Sequence, residues 1–560
     1  MPLKSRWKLP IDVCSLQTFL FGSQNATLPD KVAYYDAERP STHFLTYEAL
    51  RLWSLRLAAG LQKAGLQPGD RVLLFSGNNL FYPIAFMGIL MAGGIFTGAN
   101  PTYVTRELAY QLKDSDAKFL LCADGTLESA IEAAQTIGMG KERMFCFDNL
   151  LLDGTGTSRL GVKNWNILIE PESVGRNFRW YEPADPKDAI CCLNYSSGTT
   201  GFPKGVMITH FNYIANAIQF AHLAQLDPNE PAKRKRSNWL CFLPLYHAMA
   251  QTIFIAGAVK RHIPVYMMKK FDFIGMLEAI QKYKITTLTM VPPIVVALAK
   301  SPITKKYNLS SVEDIGSGAA PLSGEVIEEV QALWPANGPK LKACWGMTEV
   351  TCSLLGWDST DTSIPSSVGE LNANCSAKIM DPDGKTEVPR GERGEIWVQG
   401  PNIMKGYWRN ERATREVFVD CPDGRWMRTG DVAYVDPNGY FFIVDRIKEL
   451  IKVKGNQVAP AELEALLLEH PQVADAAVIG VTIDWAEVPR AYIVLQQTAK
   501  GKVQEQEIAD WLSKRVSKHK RLVGGVVFID TIPKNPSGKI MRRLLRERAE
   551  EVKTPARARL

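Results

Sequence analysis

The chain has 560 residues, 46% of them apolar, with 66 basic side chains against 59 acidic ones and a net charge of +7. That length exceeds a single ordinary domain, and the apolar share fills large cores, so two or more domains are expected. The charge excess is mild and lies largely near the ends, so no nucleic-acid partner is expected. Ten cysteines without Cys-x-x-Cys spacing argue against a disulfide framework or zinc site and suit a reducing compartment.

Met1 to Pro10 is basic and lacks an apolar h-region, so no secretory signal is expected there. Strand-like runs at Arg71 to Phe75, Phe119 to Cys122, Ala189 to Leu193 and Trp239 to Leu243 alternate with helical patterns. Further runs lie at His262 to Met267 and Thr286 to Val291. This is the βαβ rhythm of a parallel sheet covered by helices. Val72 to Thr105 carries no charged residue, and a membrane span needs about 20 apolar residues. Pro83, Gly88, Gly93, Gly94 and Gly98 interrupt the run, so a buried helix, a turn at Gly93-Gly94 and a short strand are predicted. No transmembrane segment is expected. Lys233-Arg234-Lys235-Arg236, among Asn, Pro and Ser, reads as a solvated loop rather than a nuclear signal.

From about Ser366 to Val398 the pattern shortens into strands with Gly/Pro/Asp turns, which suggests a smaller β-rich subdomain. Asp381-Pro382-Asp383-Gly384 and Asp436-Pro437-Asn438-Gly439 are turns between strands. After Asp445 a compact unit follows, with a helix over Val458 to Glu469 and strands at Val473 to Val481 and Ala491 to Gln496. Helices at Val503 to Val516 and near the C-terminus complete it. The fold class is α/β.

The most informative stretch is Tyr195-Ser196-Ser197-Gly198-Thr199-Thr200-Gly201-Phe202-Pro203-Lys204-Gly205. A strand over Ala189 to Leu193 precedes it and a helix over Asn212 to Gln225 follows. A loop of this kind lets backbone N–H groups and hydroxyls close around a polyphosphate while Lys204 adds positive charge. The alternative is a surface turn. It is not a Walker loop, and the nearest imitation, Gly384-Lys385-Thr386, has Ile379 where the first glycine should be.

Trp345-Gly346-Met347-Thr348-Glu349, Arg428-Thr429-Gly430-Asp431, Asp445-Arg446-Ile447-Lys448-Glu449 and Pro536-Ser537-Gly538-Lys539 follow in order. With the loop, these resemble the motifs of the adenylate-forming superfamily: acyl- and aryl-CoA ligases, peptide-synthetase adenylation domains and insect luciferases. Within it the chain resembles 4-coumarate-CoA ligase-like enzymes most. The resemblance implies a large N-terminal AMP-binding domain of parallel-sheet subdomains plus a small β-rich one, residues 1–445. It also implies a small, hinged α+β C-terminal domain, residues 446–560, carrying the catalytic lysine.

The implied reaction joins a hydrophobic carboxylic acid to coenzyme A with ATP and Mg²⁺, through an acyl-adenylate. Because an anionic carboxylate must meet an anionic phosphate, charge neutralisation and positioning are the main tasks. The resemblance implies that Lys539 reaches the α-phosphate and carboxylate oxygens. Ser196, Ser197, Gly198, Thr199, Thr200, Gly201 and Lys204 would hold phosphates. Glu349 would hold Mg²⁺, as a hard cation wants carboxylate oxygen, and Thr348 would donate to phosphate. Asp431 and Arg446 would fix the ribose hydroxyls, and Lys448 occupies the hinge position. Gly318, Ala319 and Ala320 would let adenine lie on backbone, covered by Trp345 with Gly346 beside it. The family usually has tyrosine at position 345, so a phenol hydrogen bond is lost. Cys344 replaces a frequent glycine, which puts a hydroxycinnamate substrate in doubt.

His247 resembles the histidine lining the acyl site; by itself a histidine in an apolar strand is a satisfied core residue. Tyr246, Met249, Met290, Val291, Val350 and Thr351 are further pocket candidates, or plain core. For acyl transfer, Lys452 and Gln457 would contact the adenylate and Gly455 would line the pantetheine tunnel. Ala558-Arg559-Leu560 resembles the small-basic-leucine peroxisomal address, so an import receptor and a peroxisomal location are expected, with the cytoplasm as the alternative. Loading a carrier protein in trans and luciferase-like oxygenation remain alternatives. Aromatic, medium-chain and specialised-metabolite acids all stay open.

Overall fold

The computed structural model describes residues 2–148, 152–153, 159–196, 203–318, 322, 324–453, 456–483, 486–535 and 538–553. Ser197, Gly198, Thr199, Thr200, Gly201, Ala319, Ala320, Gly455, Pro536, Ser537 and the Ala558-Arg559-Leu560 ending lie outside them.

Two mostly parallel sheets form the bulk of the molecule. In the first, Arg71–Phe75 sits between Ile95–Ala99 and Ala117–Ala123, with Met144–Phe147 and Lys163–Asn164 outside the latter. Arg71–Phe75 is buried at all five positions, as expected where helices cover both faces. The helix Tyr82–Met91 is buried along its whole length, carries Pro83 in its first turn and ends before Gly93, whose φ is +88°. The uncharged run is therefore core, and no helix among the described residues is long and apolar enough to cross a membrane.

On the other edge, Ile190–Ser196 pairs antiparallel with Lys204–Thr209, which pairs with Gly406–Tyr407. This corrects the expected strand–loop–helix order. The candidate phosphate loop joins two strands, because Val206-Met207-Ile208-Thr209 is a β-branched, buried run that completes the sheet before any helix starts. Helix His210–Gln225 then begins at Thr209, whose hydroxyl accepts from Asn212 N while Asn212 caps back.

The second sheet runs Leu341–Ala343, Asp314–Ser317, Thr287–Met290, Trp239–Cys241, Val265–Met267, Val32–Asp36 and Phe44–Thr46. A third, antiparallel sheet contains Ser376–Met380, Gly394–Gln399, Gly424–Val435 and Phe441–Arg446, which is the smaller β-rich unit. Lys233 to Arg236 does not form the expected loop but ends a short helix, Glu230–Arg236, started by Glu230 and Pro231. Ion pairs with Asp227, Glu230 and Glu313 hold Lys233, Arg234 and Arg236 in turn.

From Ile451 onward separate apolar clusters form around Val473–Ile483, Ala486–Leu495 and Val526–Phe528. Helices Pro460–Leu468, Glu505–Ser513 and Arg542–Lys553 pack against these strands. All ten cysteines are free.

Candidate active site

The site begins with two neighbouring strands. Asp431 on Gly424–Val435 is the register partner of Arg446 on Phe441–Arg446, so an acid and a guanidinium emerge side by side. Arg446 Nε lies 3.2 Å from Asp431 Oδ1. Asp431 is 5% exposed, and burial pushes its carboxyl above the ordinary range while Arg446 and Trp345 pull it back. The turn before it is braced from within. Gly430 takes φ +73°, its N–H donates to Glu395 Oε1 at 3.1 Å, and Thr429 Oγ1 accepts from Asp431 N. Arg428 of the same motif is spent on Glu395, through bonds of 2.8 and 3.1 Å.

Trp345 reaches this carboxylate from the second sheet's edge. Its indole Nε1–H donates to Asp431 Oδ2 at 2.8 Å. The lost phenol bond expected from sequence is thus met by an indole bond instead. The next residue has to be glycine, since a Cβ on Gly346 would lie 1.7 Å from the Cys352 carbonyl oxygen. Glu349 follows in a short 3₁₀ turn, Thr348–Val350. It is buried, and Oε1 accepts from the Tyr407 hydroxyl at 2.9 Å. Tyr407 also offers its ring to Lys204, whose Nζ lies 4.5 Å from the centroid. One tyrosine therefore joins the loop lysine to the candidate metal ligand. Ser196, at the loop's other end, has a buried Oγ with no partner among the described residues.

Lys539 comes from the C-terminal unit. Its loop is tied by Asn535, which accepts from Lys539 N at 2.9 Å and donates from its own N–H to Lys539 O at 2.9 Å. Gly538 takes φ +79°, and a Cβ there would stand 3.3 Å from Val291 Cγ2 and Pro293 Cδ. The loop thus docks on the large unit beside a pocket candidate. Loss of water, and then Arg446, draw the Lys539 ammonium below the ordinary lysine value, while Asp431 and Glu349 act in the opposite sense. His247 lies close enough for Lys539 to add to the effect of burial, which brings the imidazole down to about 4. It is not in a strand but just before a helical turn, Ala248–Ala250, and its Nε2 is buried without a partner among the described residues. It is therefore not a satisfied core histidine.

The family described as AMP-binding enzyme matches residues 21–408, and its C-terminal domain matches residues 462–539. The chain is an AMP-binding enzyme. It is 39% identical to 4-coumarate–CoA ligase 1 of Petroselinum crispum over 90% of this chain and 89% of that one. It is 36% identical to phenylacetyl-CoA ligase epaB of Aspergillus niger over 93% and 94%. The fold matches ATP-bound MatB from Rhodopseudomonas palustris with a TM-score of 0.81 and 26% identity, covering 96% of this chain and 99% of that one.

In this AMP-binding enzyme Gly318 donates from its N–H to Met290 O, and a Cβ on it would stand 3.6 Å from Met249 Sδ and the Cys344 carbonyl. Those residues share one wall. Val350 and Thr351 are both fully buried, and the Thr351 hydroxyl donates to Asn402 O at 2.8 Å. Lys452 and Gln457 are exposed cross-strand partners on Ile451–Val453 and Asn456–Val458, and Lys448 is exposed. Among the described residues no hydrogen bond or ion pair joins the Lys452 or Gln457 side chain to the Asp431 cluster, so the two are not gathered with Lys539. A cavity of about 500 Å³ opens beside the loop's two ends, lined by Tyr103, Arg106, Tyr110, Tyr195, Pro203 and, from the C-terminal unit, Arg543.

Tyr407 and Glu395 are the residues that the sequence reading missed. Glu395 carried a weak signal, being a charge at the start of the strand-like run Ile396-Trp397-Val398. Tyr407 carried none, because Gly-Tyr-Trp after a loop is ordinary.

Proposed function

We propose that the chain activates a hydrophobic carboxylic acid as its adenylate and passes the acyl group to the thiol of coenzyme A. It is an ATP-using, AMP-forming acid–thiol ligase. The observation that carries the reading is the meeting of Lys539 with Asp431, Glu349, Arg446 and His247. A lysine drawn into a water-poor site beside carboxylates is matched to a substrate whose charge it can neutralise.

In the first half-reaction a carboxylate oxygen attacks the α-phosphate and pyrophosphate leaves. Lys539 would hold both anions, Lys204 would hold the outer phosphates, and Asp431 with Arg446 would fix the sugar. Neutral His247 brings no second positive charge against Lys539, and its free Nε2 can hydrogen-bond the acid's carboxyl group. Among the described residues no group of three His, Cys, Asp or Glu could hold a metal. Glu349 would then supply one oxygen to Mg²⁺, which takes the rest from phosphates and water, as that ion commonly does. In the second half-reaction the thiol attacks the acyl carbon and AMP departs. Lys452 and Gln457 serve that step only after the C-terminal unit, residues 446–560, turns about Lys448. The cavity beside the loop carries two guanidiniums and three tyrosines, with the Glu107 carboxylate also on its wall, and part of the coenzyme is proposed to lie there. The acid itself is aromatic in this proposal, in keeping with relatives named for 4-coumarate and phenylacetate.

Lys539→Ala should abolish acid-dependent pyrophosphate release while leaving thioester formation from supplied acyl-adenylate largely intact. Lys452→Ala should show the reverse bias. Equal loss of both half-reactions in both variants would remove the two-orientation assignment. Absence of pyrophosphate release with every aromatic acid in a panel would remove the ligase reading itself. The Ala558-Arg559-Leu560 ending is proposed to bind the peroxisomal import receptor. Deleting it should return a fluorescent fusion to the cytosol.

A further inference from the structure

Asp431 holds its two carboxylate oxygens in different states. Oδ2 receives the Trp345 indole N–H at 2.8 Å, in a buried contact between residues far apart in the chain. Oδ1 is buried yet has no hydrogen-bond donor among the described residues. Arg446 Nε lies 3.2 Å from Oδ1, near enough for ion pairing but not aligned to donate. A buried carboxylate oxygen without a donor is costly, so the site is built for an incoming hydroxyl.

We propose that Trp345 is a positioning residue that acts through its N–H, and that it thereby sets selectivity for a nucleotide carrying a vicinal diol. The indole has the rigidity to do this. Its backbone oxygen accepts from Leu354 N and Leu355 N, and the Gly346 approach to Cys352 leaves the turn no room to shift. With Oδ2 occupied, rotation of the carboxylate is blocked and Oδ1 stays turned toward the sugar. A phenylalanine would keep an aromatic face for the base but would free the carboxylate to rotate. This inference rests on the proposed nucleotide chemistry of the site and adds the residue that selects the sugar.

The test compares AMP with 2′,3′-dideoxy-AMP by calorimetry on the full chain, for wild type and Trp345→Phe. Loss of one hydrogen bond to a charged group predicts about tenfold weaker AMP binding. Dideoxy-AMP, which has no hydroxyl to lose, should bind both proteins alike. In pyrophosphate-release assays the variant should show a raised KM for ATP with kcat nearly kept. Should Trp345→Phe fold poorly, 3-benzothienylalanine at position 345 keeps the ring's size and lacks only the N–H. Equal weakening toward both nucleotides would reduce Trp345 to a stacking or structural role, and unchanged AMP binding would overturn the inference outright. If no acid gives pyrophosphate, the ligase reading falls, while the calorimetric comparison still reads the indole bond.

Discussion

Glu395 holds the turn over residues 428–431 in place. Its Oε2 accepts from Trp397 Nε1 and twice from Arg428, and its Oε1 accepts from Gly430 N. At 5% exposure, removal of this acid takes the partner from a guanidinium, an indole N–H and a backbone amide. Glu395→Ala should therefore lower unfolding free energy by about 3 kcal/mol, measurable by denaturant titration. Glu395→Gln keeps the shape and should cost about half as much. Both should raise the KM for ATP, because Asp431 follows directly from the turn. The motif Arg428-Thr429-Gly430-Asp431 was legible as a unit, but only Asp431 faces the site. Arg428 and Thr429 are engaged in holding it, which spacing alone does not reveal.

Among the elements, the candidate phosphate loop shows where local reading fell short. Gly205 to Thr209 is too short and too close to a strong helix pattern to announce itself as a strand. The sheet edge, completed by Gly406–Tyr407, makes it one. Lys204 thereby gains a fixed ladder position opposite Ser196 rather than a place on a flexible turn. Two glycines in other elements give direct tests. Gly346→Ala places a Cβ 1.7 Å from a backbone oxygen, so at least about 3 kcal/mol of stability should be lost. Gly538→Ala meets the milder barrier of φ +79° and contacts of 3.3 Å with Val291 and Pro293. Its global cost should be about 1 kcal/mol. Adenylation should nonetheless fall more than acyl transfer, since the Lys539 loop can no longer seat against the large unit. A stability measurement paired with both half-reactions separates these effects.

At the scale of the whole molecule, the C-terminal unit has its own cores and touches the large unit at several points. Lys300 Nζ donates to Leu468 O at 2.7 Å, Val432 packs with Leu450 and Ala459, and Asp445 accepts from Ala461 N at 2.9 Å. Within the unit, Arg542 forks onto Glu464 and Arg546 pairs with Glu449, so the helix after Lys539 is tied to the segment after Arg446. Docking carries a protonation consequence. Seated Lys539 has its ammonium below the ordinary 10.5, so the undocked arrangement binds more protons. Docking of the nucleotide-free enzyme is then favoured as pH rises through the lowered value toward 10.5. A fluorescence-transfer pair across the two units should report more docking as pH rises toward 10.5. Lys539→Met should flatten the dependence. A wild-type response of the opposite sign would refute the seating.

Residue order alone established the α/β class, the buried hydrophobic segment near the N-terminus, the β-rich unit and the positions of the chemical motifs. Those properties live in short windows, where periodicity, turn residues and motif spacing suffice. The tertiary structure decided that Trp345 grips Asp431 across 86 positions and that Tyr407 grips Glu349 across 58. It also decided that the strands on either side of the loop pair antiparallel and that His247 Nε2 has no partner among the described residues. Such pairings depend on side-chain direction and on which sheet edges meet. Packing of distant segments settles both, and no local window contains that information.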